Sequence, residues 1–497
     1  MPPALAPASV LLRTPAGLGD TPLQDTLQRE RARGILISYP DRKAVRCAIT
    51  QGGVHHLVGD HDPWSLLPLA DHVIAAPQDE LSLLAAAGGR QVHDAATDMP
   101  IDIEAARARF LRLIDAFEYA DPFDGQEIDV IGWISILERW RTEIDGNRSI
   151  ARVAGISRWK SGALRQLLWS DQPPKLTSSS QVAEMPAGKS IALWPSRAPK
   201  NLLRRAAEAG VAVTRIEDGF IRSIGLGAFL VPPCSIVVDR TGIYYDPEQP
   251  SQLERILSET AFSAALLRRA DALIGALVQG GVTKYAAGTA SLVLPEASRR
   301  ILVPGQVEDD QSVRFGAAGV SGNLDLLRRA RLAEPDAWIA YRPHPDVASG
   351  LRKGRIDDKD ALRYADAVIT AGAISDLLDQ VDGVHVLTSL AGFEALLRGR
   401  EVFTHGQPFY AGWGLTRDLG LPIARRRRRL TLFELVAGTL ILYPRYLDPV
   451  TRLPCPPEVL VRRHIALPRP RPGLLSQLRR YQGKAQLLGD RLARAFG

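Results

Sequence analysis

Three apolar segments in the second half of the chain each end in polar residues at the same relative position. Residues 301–303 lead into QVEDDQS at 306–312, residues 338–340 into YRPHPD at 341–346, and residues 384–387 into SLAGFE at 389–394. Short apolar runs bounded by turn residues are typical of buried strands. Because ligands of open α/β sheets bind beyond the carboxyl ends of the strands, the pattern predicts one parallel sheet with a cleft along that edge.

The first of these segments holds three neighbouring carboxylates, Glu308, Asp309 and Asp310. Crowded carboxylates repel one another, so they are costly unless a cation or a reaction uses them. Taken alone, the segment is equally consistent with a solvated acidic turn. Its position at one of three similar strand ends favours a functional role.

Alternation of short strands and helices extends upstream of this region. Residues 191–194 predict a strand, 201–210 a helix that ends at Gly210, and 211–213 another strand. We therefore predict an α/β protein with two doubly wound, Rossmann-like lobes over 189–298 and 299–450, facing one cleft in a GT-B-like arrangement. A helical linker region over 119–188, which turns rich in Pro and Ser after residue 170, is predicted to precede them.

A worn internal repeat accounts for the N-terminal part of the chain. Segments at 37–41, 65–73, 89–92 and 119–122 resemble, in the same order, segments at 342–346, 376–384, 399–402 and 446–449. Tyr39 stands where the later copy has His344, and no acidic segment has a counterpart. We predict that 1–118 is a degenerate α/β half-module that is kept for packing and is catalytically silent.

Composition and charge narrow the location and the partners. The chain is 45% hydrophobic and 24% charged, with only Cys47, Cys234 and Cys455 as cysteines. No apolar run is long enough to span a bilayer, no secretory signal is evident, and three distant cysteines suit a reducing compartment. We expect a cytoplasmic protein without a metal site.

The net charge of +7 is concentrated in an arginine run at 425–429 and in a tail at 451–497. Basic residues after Arg462 alternate with leucines at nearly helical spacing, which suits an amphipathic helix on an anionic membrane surface. A solvated basic helix or a disordered tail is an equally good interpretation. Charge alone permits nucleic-acid binding, but without a stacking platform or reader motif we expect none.

Several further motifs agree in order with one known family. EDGFIRS at 217–223, GIYYD at 242–246, PSQLE at 250–254 and PFYAGWGLT at 408–416, with the three strand-end segments, resemble the KpsC (LipB) family of capsule-assembly β-Kdo transferases over 119–449. PGQVEDD at 304–310 resembles the second, 2,7-linking module of that family, and 155–160 its inter-module linker. The resemblance implies one working module, one kind of linkage, and an N-terminal remnant of the other module.

The family uses CMP-β-Kdo as donor substrate, needs no further cofactor and retains the anomeric configuration. Retention requires a carboxylate that can attack the anomeric carbon, and the resemblance places this nucleophile on Asp310. Glu308 and Asp309 are candidates for proton transfer, or alternatively for caps and turn hydrogen bonds.

The donor carries a phosphate and a sugar carboxylate, so it needs cationic groups and N–H donors. We expect it to meet residues of the second lobe and one lysine of the first: Gln306, Arg342, His344, Ser389, Glu394 and Lys284. In the first-lobe cleft we expect Glu217, Asp218, Arg222 and Trp413 to face the acceptor. An ion pair of the acids with Arg222 and a buried aromatic turn around Trp413 are the alternatives, and Ala286 replaces the family's usual Asn.

The expected acceptor is a Kdo-terminated glycolipid, with the capsule-export machinery and the inner-membrane surface as partners. Two other functions are compatible with parts of the pattern. A non-catalytic scaffold of capsule export would use the tail and the half-module as docking surfaces, although it need not have kept Asp310, His344 and Glu394. A Mg²⁺ site for phosphoryl chemistry would use the acidic segment, but no phosphate-cradling glycine-rich loop accompanies it.

Overall fold

The computed structural model describes residues 10–13, 35–39, 54–58, 62–221, 232–282, 292–350 and 352–467, with the backbone alone for 35–39 and 54–58. The chain divides into two compact units, Met1–Ile134 and Ser135–Gly497. Arg222, Lys284 and the predicted tail beyond residue 467 lie outside the described residues, so the proposals about them stay predictions. No helix in the described ranges has both the length and the apolar character that a bilayer crossing requires.

The N-terminal unit is built on a parallel sheet. Its elements are β1 (Val10–Arg13), β2 (Ile35–Tyr39), β3 (Val54–Val58), α1 (Pro63–Leu66), β4 (His72–Ala75), α2 (Glu80–Ala87), β5 (Gln91–Asp94), α3 (Ile103–Asp115), β6 (Tyr119–Ala120) and β7 (Glu127–Ile128). The five-stranded sheet has the order β3-β2-β1-β4-β5, and all four pairings are parallel. Leu11, Val73 and Leu81 pack at its centre.

The C-terminal unit contains two larger sheets. Its strands are β8 (Ile150–Ala154), β9 (Lys175–Leu176), β10 (Ser190–Leu193), β11 (Ala212–Asp218), β12 (Ser235–Asp239), β13 (Arg300–Pro304), β14 (Trp338–Arg342), β15 (Ala367–Val368), β16 (Gly383–Val386), β17 (Glu401–Thr404), β18 (Arg417–Asp418), β19 (Pro444–Leu447) and β20 (Pro454–Cys455). The helices are α4 (Val130–Asn147), in which the division between the units falls, α5 (Ser161–Leu167), α6 (Leu202–Glu208), α7 (Gln252–Glu259), α8 (Ala264–Gln279), α9 (Gln311–Gly316), α10 (Asn323–Ala333), α11 (Pro345–Ala348), α12 (Asp358–Ala361), α13 (Ile374–Leu378), α14 (Leu390–Leu397), α15 (Leu432–Val436) and α16 (Pro457–Ala466). A π-helical segment, Ala437–Leu442, continues α15.

The first of these sheets has seven strands in the order β20-β19-β12-β11-β10-β8-β9. Strands β8 to β11 pair in parallel, whereas β12, β19 and β20 add antiparallel pairings. The lobe is therefore a mixed sheet rather than a purely doubly wound one. The first sheet also includes β8 and β9 from residues 150–176, which we expected to be a linker. It further includes β19 and β20 from residues 444–455, which we expected at the end of the second lobe and the start of the tail. The predicted boundaries at 189 and 451 thus cut through one sheet.

The second sheet is parallel throughout, with six strands in the order β15-β14-β13-β16-β17-β18. The chain starts at the central strand β13, moves outwards to one side, and then returns to place β16 on the other side of β13. Such a reversal of strand order opens a crevice at the carboxyl ends of the two central strands. The acidic segment follows β13 and the SLAGFE segment follows β16, so both leave the sheet at this crevice.

The strand order β3-β2-β1-β4-β5 of the N-terminal unit is the same as that of the first five strands of this second sheet, which supports the internal repeat. The two copies differ at the crevice. Asp79 caps α2 and lies 3.4 Å from the guanidinium of Arg13, whereas Ser389 caps α14 at the corresponding place. A carboxylate at a helix N-terminus repels an incoming anion, so the N-terminal copy is unsuited to bind one there.

The arginine run at 425–429 contains one buried residue, Arg426, and contributes ion pairs within the C-terminal unit. Arg425 and Arg426 both contact the carboxylate of Glu254, at 2.7 and 3.3 Å. Arg426 is buried and also donates to the carbonyls of Pro408 and Ala411, at 2.6 and 2.8 Å. The run therefore connects α7, the helix that follows β12, to the turn that follows β17.

Candidate active site

A cavity of about 900 Å³ lies between the two sheets of the C-terminal unit. Its walls include the carboxyl ends of β11, β13, β14 and β16. The three polar strand-end segments at 306–312, 341–346 and 389–394 all contribute residues to it. The convergence predicted from the strand ends is thus present.

The three carboxylates of the acidic segment do not act as one cluster. Glu308 accepts a hydrogen bond from the backbone N–H of Asn323, at 2.9 Å, and so caps the start of α10. Asp309 pairs with Arg352 at 3.1 Å, and both groups are about half exposed. Of the three, only Asp309 and Asp310 are among the described residues that line the cavity, so the position of Glu308 favours the turn alternative over catalysis.

Separation of the carboxylates also bears on the magnesium alternative. Within the part of the chain that the structure describes, no set of three or more His, Cys, Asp or Glu side chains is arranged to hold a metal ion. A Mg²⁺ site needs carboxylates that converge on one point. Here Glu308 and Asp309 have separate partners, so the arrangement does not favour that alternative.

Asp310 occupies the N-cap position of α9, with extended backbone angles of φ −71° and ψ 146°. Its Oδ1 accepts hydrogen bonds from the backbone N–H of Ser312 at 3.0 Å and from the Ser312 hydroxyl at 2.9 Å. These bonds fix the rotamer of a carboxylate on the cavity wall. A nucleophile that has to meet one carbon atom benefits from such fixed orientation.

Gln306 links the ends of β13 and β16 through its side-chain amide. Its side-chain nitrogen donates to the Thr388 hydroxyl at 3.0 Å, and its side-chain oxygen accepts from the Thr388 N–H at 2.9 Å. Its own N–H donates to Asn323 at 2.8 Å. Both ends of the amide bind Thr388, so Gln306 has a positioning role. Its amide nitrogen has a second N–H and Gln306 lines the cavity, so the expected contact with the donor stays a prediction.

The N-terminus of α14 opens onto the cavity beside this bridge. Ser389 caps the helix by accepting a hydrogen bond from the N–H of Ala391, at 3.2 Å. Gly392 allows the helix to lie against Tyr410, whose hydroxyl would be 2.3 Å from an added Cβ and which donates to the Ser389 carbonyl. Glu394, about one turn further on, is 7% exposed and also lines the cavity. The N-terminus of an eight-residue helix that opens onto a cavity is suited to binding an anion.

His344 and Arg342 lie at the end of β14, on the same wall. The Nδ1 atom of His344 accepts a hydrogen bond from the N–H of Asp346 at 3.1 Å, so the neutral ring carries its proton on Nε2. The terminal nitrogens of Arg342 donate to the carbonyls of Ala371 and Gly372 at 2.7 and 2.6 Å. Burial lowers the pKa of Arg342. Arg342 therefore shapes the 371–372 turn and contributes positive potential to the cavity.

On the opposite wall, Glu217 and Asp218 end β11 and face the cavity as expected. Asp218 pairs with Lys160 at 3.1 Å, and Arg222, the partner in the alternative ion pair, lies outside the described residues. Trp159, Lys160 and Trp194 also line this wall. Sequence reasoning missed Trp159 and Lys160 because 119–188 was interpreted as a linker, and Trp194 because it was assigned to the predicted strand at 191–194.

Tyr245 is a further residue that sequence reasoning did not select, although it lies in the GIYYD motif. It lines the cavity, and its buried hydroxyl has no hydrogen-bond partner among the described residues. Burial raises the pKa of Tyr245, and the negative charges of Glu217 and Asp310 raise it further. The hydroxyl is therefore a neutral hydrogen-bond donor that lies within electrostatic range of Glu217 on one wall and Asp310 on the other.

Trp413 does not face the cleft. Its side chain is 1% exposed, its indole N–H donates to the Phe409 carbonyl at 2.9 Å, and Arg426 lies over its ring. The residue is not among the described residues that line the cavity. The expected sugar contact is replaced by the alternative, a buried aromatic turn, because the indole is enclosed by its own loop and the arginine run.

Comparison with known proteins identifies the family. The family described as capsule polysaccharide biosynthesis protein matches residues 189–273 and 270–446, which is more than half of the chain. The chain belongs to this family. It is 42% identical over 341 residues to the capsule polysaccharide modification protein LipA of Neisseria meningitidis serogroup A, a relative with the name LipA rather than LipB. That match covers 67% of this chain and 48% of LipA, so the chain spans about half the length of that relative.

Two solved structures resemble the chain at similar levels. One is the β-Kdo 2,7 transferase of Thermosulfurimonas dismutans KpsC, with 34% identity, a TM-score of 0.53, and coverage of 64% of this chain and 98% of that structure. The other is the β-Kdo 2,4 transferase of the same KpsC, with 33% identity, a TM-score of 0.56, and coverage of 63% and 98%. The relationship to KpsC Kdo transferases is therefore clear, and the two modules are matched nearly equally.

Proposed function

We propose that this chain is a retaining glycosyltransferase that moves Kdo from CMP-β-Kdo to a Kdo-primed lipid or oligosaccharide acceptor in capsule synthesis. The observation that carries the proposal is that Asp310 and the N-terminus of α14 line one cavity at the reversal of strand order. A fixed carboxylate and an anion site on one crevice suit attack on a sugar whose leaving group is a phosphate. The similarity to KpsC Kdo transferases supports the choice of sugar.

In the first displacement, the donor phosphate lies at the N-terminus of α14, near the Nε2–H of His344. The Asp310 carboxylate attacks the anomeric carbon as the bond from that carbon to the phosphate oxygen breaks. The bonding pair leaves with CMP, whose growing charge is stabilised by the helix N–H groups and the imidazole. Kdo is then joined to Asp310 by an ester.

In the second displacement, an acceptor hydroxyl attacks the same carbon and releases the Asp310 carboxylate, which restores the original configuration. The hydroxyl proton passes to a carboxylate of the opposite wall, and we assign this role to Glu217. Tyr245 is influenced by both Glu217 and Asp310, so the two carboxylates approach one region of the cavity from different walls.

We further propose that the chain has one active module that forms one kind of linkage. Asp79 and its pairing with Arg13 make the N-terminal copy unsuited to a nucleotide phosphate. The PGQVEDD motif at 304–310 supports 2,7 as the linkage, whereas the two KpsC structures match too evenly to distinguish it from 2,4.

Replacement of the nucleophile tests the proposal. Asp310→Ala should bind CMP as the wild type does and lose transfer by several orders of magnitude, as is general for removal of a covalent nucleophile. Mass spectrometry of wild type incubated with CMP-Kdo alone should show a Kdo adduct on the peptide that contains Asp310. Asp309→Ala, which removes only the exposed pair with Arg352, is the matched control and should keep most activity.

The same measurements separate the competing functions. Full transfer by Asp310→Ala would refute the nucleophile assignment. Loss of CMP binding in that variant would instead indicate a ligand-holding role for the carboxylate. A wild-type protein that neither binds CMP nor transfers Kdo would favour the scaffold alternative.

A further inference from the structure

One wall of the cavity combines aromatic and basic side chains that the proposed donor chemistry does not use. Trp159 and Lys160 come from the turn after β8, and Trp194 and Arg197 from the turn after β10. They line the cavity on the side of the first sheet, whereas α14 and His344 line it on the side of the second. A donor held by the second sheet leaves this wall for the other substrate.

Gly155 holds the two turns in direct contact. Its φ of +76° is unfavourable for residues with a side chain, and an added Cβ would lie 2.5 Å from the Trp194 carbonyl oxygen and 3.0 Å from that of Arg197. Only glycine allows this approach. The turn that carries Lys160 is therefore fixed against the turn that carries Arg197 before any substrate binds.

Lys160 is held in place by two aromatic rings and one carboxylate. Its Nζ lies 3.6 Å from the centre of the Trp194 ring and 5.4 Å from that of Trp159, and its side chain is 14% exposed. One carboxylate oxygen of Asp218 lies 3.1 Å from it. An ammonium group has three N–H donors, so it can bind a substrate oxygen while it stays paired with Asp218. Restraint by two rings reduces the entropy that such binding costs.

The charges around Lys160 match a particular kind of sugar. Lys160 and the exposed Arg197 offer donors to a carboxylate, while Glu217 and Asp218 accept hydrogen bonds from hydroxyl groups. The partly exposed indole of Trp159 provides flat apolar surface for the C–H face of a sugar ring, whereas the buried Trp194 supports Lys160 from below. A neutral sugar would use the Trp159 ring and the acids but would leave Arg197 and the remaining N–H donors of Lys160 without a substrate oxygen anion to bind.

We propose that Trp159, Lys160, Trp194 and Arg197 form the acceptor subsite, and that Lys160 selects an acceptor sugar that carries a carboxylate. The inference rests on the proposed function, since it assigns the second substrate of the same cavity. Lys160 contacts the acceptor carboxylate directly, and Arg197 supports it from the rim.

Two matched acceptors test the selection: a synthetic Kdo-terminated acceptor and the same compound with its terminal carboxylate converted to the carboxamide. Wild type should favour the carboxylate in kcat/KM by about 10- to 100-fold, the range expected for one charge-assisted hydrogen bond. Lys160→Gln should lose most of that preference. The substitution and the carboxamide each remove the same contact between Lys160 and the acceptor carboxylate, so their effects should not be additive. Lys175→Gln, on the exposed edge strand β9, is the control and should behave as wild type.

The donor half of the reaction provides a separate readout. Formation of the Kdo adduct from CMP-Kdo alone should be as fast in Lys160→Gln as in wild type. If Lys160→Gln slows adduct formation as much as it slows transfer, the subsite is overturned. An unchanged preference of Lys160→Gln for the carboxylate would overturn it too. If Lys160→Gln does not fold, the exposed variant Arg197→Gln should reduce the same preference, and an unchanged preference there would also count against it.

Saturation-transfer NMR with the two acceptors distinguishes failure of the subsite from failure of the proposed function. The carboxylate compound should bind wild type more tightly than the carboxamide, and Lys160→Gln should bind both alike. Binding of this kind without adduct or transfer would refute the proposed chemistry and leave the subsite standing. Equal binding of both compounds by wild type would refute the subsite.

Discussion

A pair of buried histidines should make the stability of the protein fall steeply below neutral pH. His385 in β16 and His405 after β17 share a ring-nitrogen contact of 2.9 Å, and His385 stacks on Phe403. Burial lowers the pKa of His385 to about 3 and that of His405 to about 4. The charges of His405 and Arg299 further lower the pKa of His385, which also lies 3.8 Å from Glu334. Arg329 lowers the pKa of His405, and Asp325 raises it.

The sign follows from the proton count. Both rings have an ordinary pKa of 6.5 in the unfolded chain, so between about pH 4 and pH 6.5 the unfolded state binds protons that the folded state does not. Stability is therefore fully present above pH 6.5 and is lost as the pH falls through this window. From pH 7 to pH 5 each ring contributes about 2 kcal/mol of this loss, or about 4 kcal/mol for the pair.

Urea unfolding at pH 7 and pH 5 measures the effect. His385→Gln should reduce the difference between the two free energies of unfolding by about 2 kcal/mol relative to wild type, whatever its cost at pH 7. His464→Gln, which changes a partly exposed histidine of α16, should leave the difference unchanged. A wild-type-like pH dependence in His385→Gln would refute the reasoning.

Three other variants or truncations probe separate features. Arg426→Ala should cost about 2–4 kcal/mol of stability in thermal unfolding because it leaves the buried carbonyls of Pro408 and Ala411 without this donor while Arg425 still pairs with Glu254, whereas the exposed Arg427→Ala should cost less than about 1 kcal/mol. Tyr245→Phe should keep or increase stability, since the lost hydroxyl has no partner among the described residues, yet reduce kcat/KM by about 10-fold; unchanged activity would exclude a substrate contact. Truncation after residue 467 should weaken co-sedimentation with anionic vesicles in a salt-dependent way, and equal binding by both forms would exclude the predicted membrane role of the tail.

The second sheet was accessible from sequence because its strands are local, apolar and continuous. Residues 301–303, 338–340 and 384–387 were each predicted as strands, and they form the cores of β13, β14 and β16. The reversal of strand order then brings their polar ends together. Hydrophobic patterning therefore predicted both the sheet and the edge at which the cavity lies.

What the sequence could not show depends on contacts between distant residues. The three acids are indistinguishable in sequence. In the structure Glu308 accepts a hydrogen bond from the N–H of Asn323, whereas Asp310 lies on the cavity wall. Lys160 was placed in a predicted linker because the pairing of β8 with β10, about 40 residues further along the chain, is not visible in the local sequence. The sequence predicted that Trp413 contacts a sugar, but in the structure Arg426 lies over its ring and the side chain is buried.

The return of the chain from the second sheet to the first has a consequence for how the protein is made. Val237 of β12 pairs with Pro444 of β19, so the first sheet needs a partner that is synthesised about 200 residues later. The second sheet is contiguous in sequence and can form as soon as it leaves the ribosome. Until β19 arrives, β12 presents an unpaired apolar edge to other chains. We therefore expect that a protein shortened before residue 444 aggregates even though its second sheet, with Asp310 and α14, is complete.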